Sequence, residues 1–353
     1  MNSYTDKSRR KLHRYRRFLA CSIFFLLITA VLVPASVYLL SVTVVAQTDQ
    51  ETNERANFWR AVRQGVEGYT AVQGQETNVL IQNGGENWRA LRNGPAKTFG
   101  SWIMAAMLVT IALFFLIVGQ VKLQRGRSGM TIERWSLFER ILHWYTAILF
   151  IILAITGLSL FYGRSVMIPI MGKDFFAAYA GLAKNAHNYL GPFFAAGLAL
   201  EIILWIRHNI PKGHDFTWFA KGGGLVGSDH PHAGRMNGGE KVWFWLLATV
   251  GVALIASGFI LDFPNYGQTR ETMQLTHLLH VAFGIIMITV AFGHIYIGTL
   301  GTEGSLEGMV TGRVDTEWAK QHHDLWYDQQ IEKGTPLERA QQTPPAGAHP
   351  RSG

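Results

Sequence analysis

Four histidines stand in long apolar runs: His143 in ERILHWYTAILF, His187 in NAHNYLGPFF, and His280 and His294 in LLHVAFGIIMITVAFGHIYIG. An ionisable side chain inside a membrane-length apolar segment is costly and marks a functional position. His280 and His294 are 14 residues apart. On a helix that is ~21 Å of rise and nearly four whole turns, so both point the same way at different depths. His187 falls at the outer end of its run and His143 at the inner end of its own, so depth pairs His187 with His280 and His143 with His294. Two bis-histidine sites stacked in a helical bundle are what two b-type haems require. The residue four beyond each histidine is small: Ala147, Gly191, Gly284 and Gly298. Positions i and i+4 share a helix face, and small residues there let a porphyrin lie close to the backbone. A lone membrane histidine is ordinarily a packing residue, and small residues also serve plain helix contacts. Four histidines sorted by depth, each with a small neighbour, favour haem. His277, one turn before His280, stays with hydrogen-bonded or interfacial packing.

The elements that must position these residues are apolar segments at about 101–121, 138–162, 186–208, 241–262 and 277–300, preceded by another from Phe18 to about Ala46. Each is long enough to cross ~30 Å of hydrocarbon as a helix of ~20 residues. Helices are required, because an open strand leaves backbone groups unpaired in lipid. The expectation is an all-α integral membrane protein: a four-helix bundle over 130–330, an extra span over 100–122, and a basic N-terminus with a signal-anchor or signal peptide over 1–46. Between them, 47–99 is polar and rich in turn residues, and is expected as a small, partly β-structured periplasmic segment. The last stretch, 331–353, is expected as a disordered tail. The 209–240 loop, with Gly222–Gly224 inside it, is expected to be mobile.

Seven Lys/Arg residues lie among the first 17, and four more in 122–137 (Lys122, Arg125, Arg127, Arg134). The bias puts those segments, the 207–240 loop and the C-terminal tail in the cytoplasm, with both termini inside if the first span is uncleaved. The net charge of +8 therefore reads as topology and contact with anionic headgroups, not as nucleic-acid binding. Hydrophobic residues make up 48% of the chain and charged ones 16%, which suits a lipid-embedded protein. One cysteine, Cys21, excludes an intrachain disulfide, iron–sulfur clusters and thiolate zinc sites, so any metal rests mainly on histidine.

The segments ERILHWYTAILFIILAITGLSLF (139–161), NAHNYLGPFFAAGLALEIILWIRHNIP (185–211), MNGGEKVWFW (236–245) and GSLEGMVTGRVDTEWAKQHHDLWY (304–327) closely resemble the gamma subunit of respiratory formate dehydrogenase, over about 135–330. The leading part looks like an extended form, which shorter family members lack. The resemblance implies a diheme cytochrome b of the bacterial inner membrane, with His187 and His280 holding the outer haem and His143 and His294 the inner one. It implies a molybdenum or tungsten catalytic subunit and an iron–sulfur subunit as partners, quinone as electron acceptor, and no formate chemistry in this chain. Asn237 and Gly239 match the family's quinone motif, whereas Glu240 replaces a glutamine. That carboxylate is either a proton relay or a first-turn residue favoured by the helix dipole. Two other readings compete: the cytochrome b subunit of a nickel-iron hydrogenase, and a haem-free membrane scaffold.

Overall fold

The computed structural model describes residues 60–65, 83–224 and 230–340. The expected signal segment, most of the periplasmic segment and residues 341–353 lie outside these. Among the described residues five helices are long and apolar enough to cross a membrane: α1 (Asn87–Ile117), α2 (Leu137–Met171), α3 (Lys173–His208), α5 (Gly238–Asp262) and α6 (Arg270–Gly301). A short helix, α4 (Gly213–Ala220), precedes α5, and α7 (Ser305–Thr311), α8 (Thr316–His322) and α9 (Asp324–Glu332) follow α6.

Several boundaries differ from the expectation. Residues 163–185 are not a loop: α2 runs to Met171 and α3 begins at Lys173. Only Gly172, with φ of 81°, interrupts the helix. The segment FFAAYAGLA supplies helix-forming residues on its far side. The stretch NWRAL, expected outside the membrane and near β structure, is helical, and α1 begins 14 residues before the apolar run does. At the ends of the 209–240 stretch, Asp215 and Lys241 form a buried ion pair, Nζ to Oδ2 at 2.7 Å, and residues 225–229 between them lie outside the described ones. Residues 331–340 are not disordered either: Leu337–Arg339 forms a strand.

The chain divides into two compact units. Among the described residues, the first comprises those up to Phe114, with Ile148–Leu198 and Leu247–Gly293. In it α1 docks through Gly100, where an added Cβ would lie 2.5 Å from Ile285 Cδ1 and 3.0 Å from the Tyr162 hydroxyl. Met104, Phe161, Tyr162, Ile285 and Ile288 form the core there.

The second unit comprises Phe115–Ala147, the described residues of Ala199–Leu246 and those from His294 onward. It holds a small antiparallel sheet in the order β2–β1–β3 (Arg313–Asp315, Met130–Glu133, Leu337–Arg339). Ile132 pairs with Val314 on one side and Leu337 on the other. Ile132 and Val314 are fully buried against Leu123, Trp318, Ala319 and Trp326. Asp315 caps α8 by accepting from Glu317 N at 2.8 Å.

His323 is 1% exposed beside this core. Its Nδ1 donates to the Gly234 carbonyl at 2.9 Å, and its Nε2 accepts from Arg134 Nη2 at 3.1 Å. That arrangement needs the neutral ring. Burial, then the Arg134 charge, holds its pKa well below the usual histidine value, and burial with His230 and Arg134 pushes neighbouring His322 down to about 3. The folded pKa values lie below the unfolded one, so the unfolded chain takes up these protons first. Stability from these rings is complete above pH ~6.5 and is lost as pH falls toward the folded values. Acidification from pH 7 to 5 is therefore expected to destabilise this unit by up to ~1.4 kcal/mol per pH unit for each ring below pH ~6.5. Thermal unfolding at several pH values checks this, and His323→Gln should flatten the profile.

Candidate haem sites

In the first unit, α3 and α6 present His187 and His280 to each other, with ring centroids 6.1 Å apart. Two imidazoles bound on opposite sides of one metal at ~2.0–2.1 Å hold their centroids roughly 6 Å apart. The spacing fits a shared iron. Each ring is held from a neighbouring helix. Thr156 on α2 directs its hydroxyl proton to the carbonyl of Ile152 at 2.8 Å, so it accepts from His187 Nδ1 at 2.9 Å. Ser257 on α5 donates to the Leu254 carbonyl at 2.8 Å and accepts from His280 Nδ1 at 3.0 Å. The Leu254 carbonyl also accepts from His280 Nδ1, at 3.1 Å. Placing the proton on Nδ1 leaves Nε2 with its lone pair, as a metal ligand needs.

Glycines follow both hydroxyls. An added Cβ at Gly157 would lie 3.1 Å from His187 Cε1, and one at Gly258 would lie 3.3 Å from His280 Cε1. The dipeptides Thr156-Gly157 and Ser257-Gly258 thus supply a hydrogen-bond acceptor and room for the ring together. Sequence reading passed over both, because a small hydroxyl beside glycine is common in membrane helices. The usable signal was that this pair occurs in two different spans.

In the second unit, His143 on α2 and His294 on α6 have ring centroids 6.3 Å apart. His294 is stacked by Trp243 of α5, at 4.8 Å and 13°. His143 Nδ1 is buried with no hydrogen-bond partner.

The small residues expected beside the rings stand next to little or nothing. A Cβ at Gly191 or Gly298 would meet no atom within 4 Å, and one at Gly284 would meet only Leu254 Cδ1 at 3.9 Å. Ala147 is half-buried. His277 packs edge-on against Trp88 at 5.4 Å, away from the paired rings.

The three residues expected at a quinone site, Asn237, Gly239 and Glu240, are brought together at the start of α5. Asn237 and Glu240 form a reciprocal cap: Asn237 N donates to Glu240 Oε2 at 2.8 Å, and Glu240 N donates to Asn237 Oδ1 at 2.9 Å. Glu240 Oε1 accepts from Arg134 at 3.2 Å. Gly239 must be small because Trp218 of α4 lies against it, 3.0 Å from an added Cβ. Trp243, the residue stacked on His294, is one turn further along α5.

Membrane-length helices carrying facing imidazole pairs define the class of b-type membrane cytochromes. Residues 134–312, just over half of the chain, match the family model described as prokaryotic cytochrome b561, and the chain belongs to that family. It is similar to the nitrate-inducible formate dehydrogenase cytochrome b556(Fdn) subunit of Escherichia coli K12, at 30% identity over 57% of this chain and 92% of that protein. It is also similar to the cytochrome b556(fdo) subunit of formate dehydrogenase of the same strain, at 31% identity over 56% and 92%. The formate dehydrogenase cytochrome b556 subunit of Haemophilus influenzae is 32% identical over 54% of this chain and 80% of that protein. Helix α1 lies outside the region that the family model matches.

Proposed function

We propose that this chain is the membrane cytochrome b subunit of a formate dehydrogenase, carrying electrons from an iron–sulfur subunit outside the membrane to quinone near its cytoplasmic side. The observation that carries the reading is the pair of imidazole couples, at 6.1 and 6.3 Å, in a chain whose relatives are named as such subunits. His187 and His280 hold one haem b, and His143 and His294 the other; the haems supply one-electron transfer. Thr156 and Ser257 keep the protons of His187 and His280 on Nδ1. Trp243 fixes the ring plane of His294. Quinone binds beside His294, where Asn237, Gly239 and Glu240 shape the entry of α5. Glu240 does so by capping the helix and holding Arg134, since both of its oxygens are engaged. A catalytic molybdenum or tungsten subunit acts on formate, and no residue of this chain does. Uptake of cytoplasmic protons at the quinone, with electrons moving inward, adds to the membrane potential.

The test is a haem-to-protein ratio by the pyridine haemochrome method on purified chain, with spectra of membranes after adding formate or hydrogen. Two b haems per chain, reduced by formate and reoxidised by a quinone analogue, are expected. Reduction by hydrogen alone assigns the chain to a hydrogenase. Failure to bind haem in membranes competent to insert it returns the histidines to packing.

A further inference from the structure

The region outside the family match contributes an electropositive wall to the first unit. Lys97 of α1 is 9% exposed, and its Nζ has only the Ser165 hydroxyl, at 3.5 Å. Arg92, half-buried, donates to its neighbour Asn93 at 2.9 Å. Arg164 lies close enough to act on Lys97 as a like charge. Among the described residues no carboxylate forms an ion pair with Arg92 or Lys97. Charged groups in membrane spans normally have an identifiable partner.

Their position says what that partner is. Arg92 and Lys97 sit over the ring of Phe161, at 5.3 and 5.9 Å from its centroid. Phe161 is one turn along α2 from Gly157, the residue packed on His187. On α6, His277 is one turn before His280 and packs on Trp88, which is one turn before Arg92. Trp88 Nε1 and His277 Nδ1 are both buried without a hydrogen-bond partner. Cations and unfilled polar atoms therefore line one wall: His277 is one helical turn (~5–6 Å) from His280, and Phe161, which lies under both cations, is one turn from the Gly157 packed on His187.

A haem b carries two propionates at one edge of its ring. We infer that α1 is an electrostatic clamp for the haem held by His187 and His280, with Lys97 and Arg92 receiving its propionates. The inference rests on the haem reading above. A positive charge near the macrocycle favours the reduced iron, which carries less positive charge, so the clamp raises that haem's potential. Hydrogen bonding and local charge are among the levers by which a protein sets such potentials.

The experiment is a potentiometric titration of the purified full chain, followed by optical spectra, for the natural protein, Lys97→Met, Arg92→Gln and Lys97→Arg. Two haems in the natural protein secure the premise, and none there defeats the haem reading itself. One midpoint is expected to fall in Lys97→Met and in Arg92→Gln, by about tenfold in the reduced-to-oxidised ratio at fixed ambient potential, or ~59 mV for one electron. The other midpoint should hold, and Lys97→Arg should match the natural protein. Reconstitution with haem whose propionates are esterified should remove the difference in haem retention between the natural protein and Lys97→Met. Unchanged midpoints with two haems retained overturn the inference and leave a lipid phosphate as the anion. Equal shifts of both midpoints, or a retention difference that survives esterification, overturn it too.

Discussion

His280→Ala is expected to lower the haem content from two to one per chain and to stop electron delivery to quinone. The substitution removes one of the two imidazoles whose centroids stand 6.1 Å apart. His277 is on the same helix, but its ring faces Trp88. The His143–His294 pair belongs to the second unit and should keep its haem. Loss of a supporting hydrogen bond to a metal-binding histidine typically lowers metal affinity by ~10–100-fold, and loss of the ligand itself does more. Ser257→Ala gives the graded comparison. It removes one acceptor of His280 Nδ1 but leaves the Leu254 carbonyl at 3.1 Å, so its effect should fall at the weak end of that range. Haemochrome content and the amplitude of the reduced-minus-oxidised band measure both variants. Two haems retained in His280→Ala would sink the pairing.

The four histidines and their pairing were legible because membrane depth and a 14-residue spacing on one helix leave few ways to match them. Nothing comparable announced the wall around Arg92 and Lys97. Both precede the apolar run that begins near residue 101, in the stretch expected as a polar periplasmic segment. The helix starts earlier than hydropathy indicates because polar residues in its first turns face other helices, as Lys97 does against Phe161 and Ser165. The sheet was equally hidden. Its strands are only three or four residues long and come from positions near 130, 314 and 338. Strands that short carry no period to detect, and their pairing is settled by tertiary burial of Ile132 and Val314. Glu240 was open between relay and first-turn residue until its two oxygens could be followed to Asn237 and Arg134.

Arg134→Ala is expected to destabilise the second unit by about 2–3 kcal/mol, less than a fully buried charge pair would lose because the Glu240 side chain left behind is 36% exposed. Arg134 is 4% exposed, and its guanidinium lies over three indole rings, Trp135, Trp318 and Trp326, at 5.2, 5.0 and 5.2 Å. Burial first, opposed by Glu240, brings its pKa down to about 10, so it is charged at neutral pH. Nη2 reaches the Arg235 carbonyl at 3.0 Å and the Glu240 carboxylate at 3.2 Å, and so ties the start of α2 to the start of α5. Alanine would empty the indole cage and strand those acceptors at once. Glu240→Gln should cost about 1–2 kcal/mol, because its single amide oxygen accepts from the Asn237 backbone or from Arg134 and the other donor is left without its acceptor. Glu240→Ala should cost more, as it leaves the guanidinium without its nearest counter-charge, although partial exposure of Glu240 moderates the loss. In the double variant Arg134→Met/Glu240→Gln, an apolar chain of similar length fills the cage and no buried charge remains, so much of the stability should return. Chemical unfolding in detergent, read by tryptophan fluorescence, reports on the three indoles directly. If Arg134→Ala leaves the midpoint unchanged, or Glu240→Ala and Glu240→Gln prove equal, the buried guanidinium is not what joins the two helix starts.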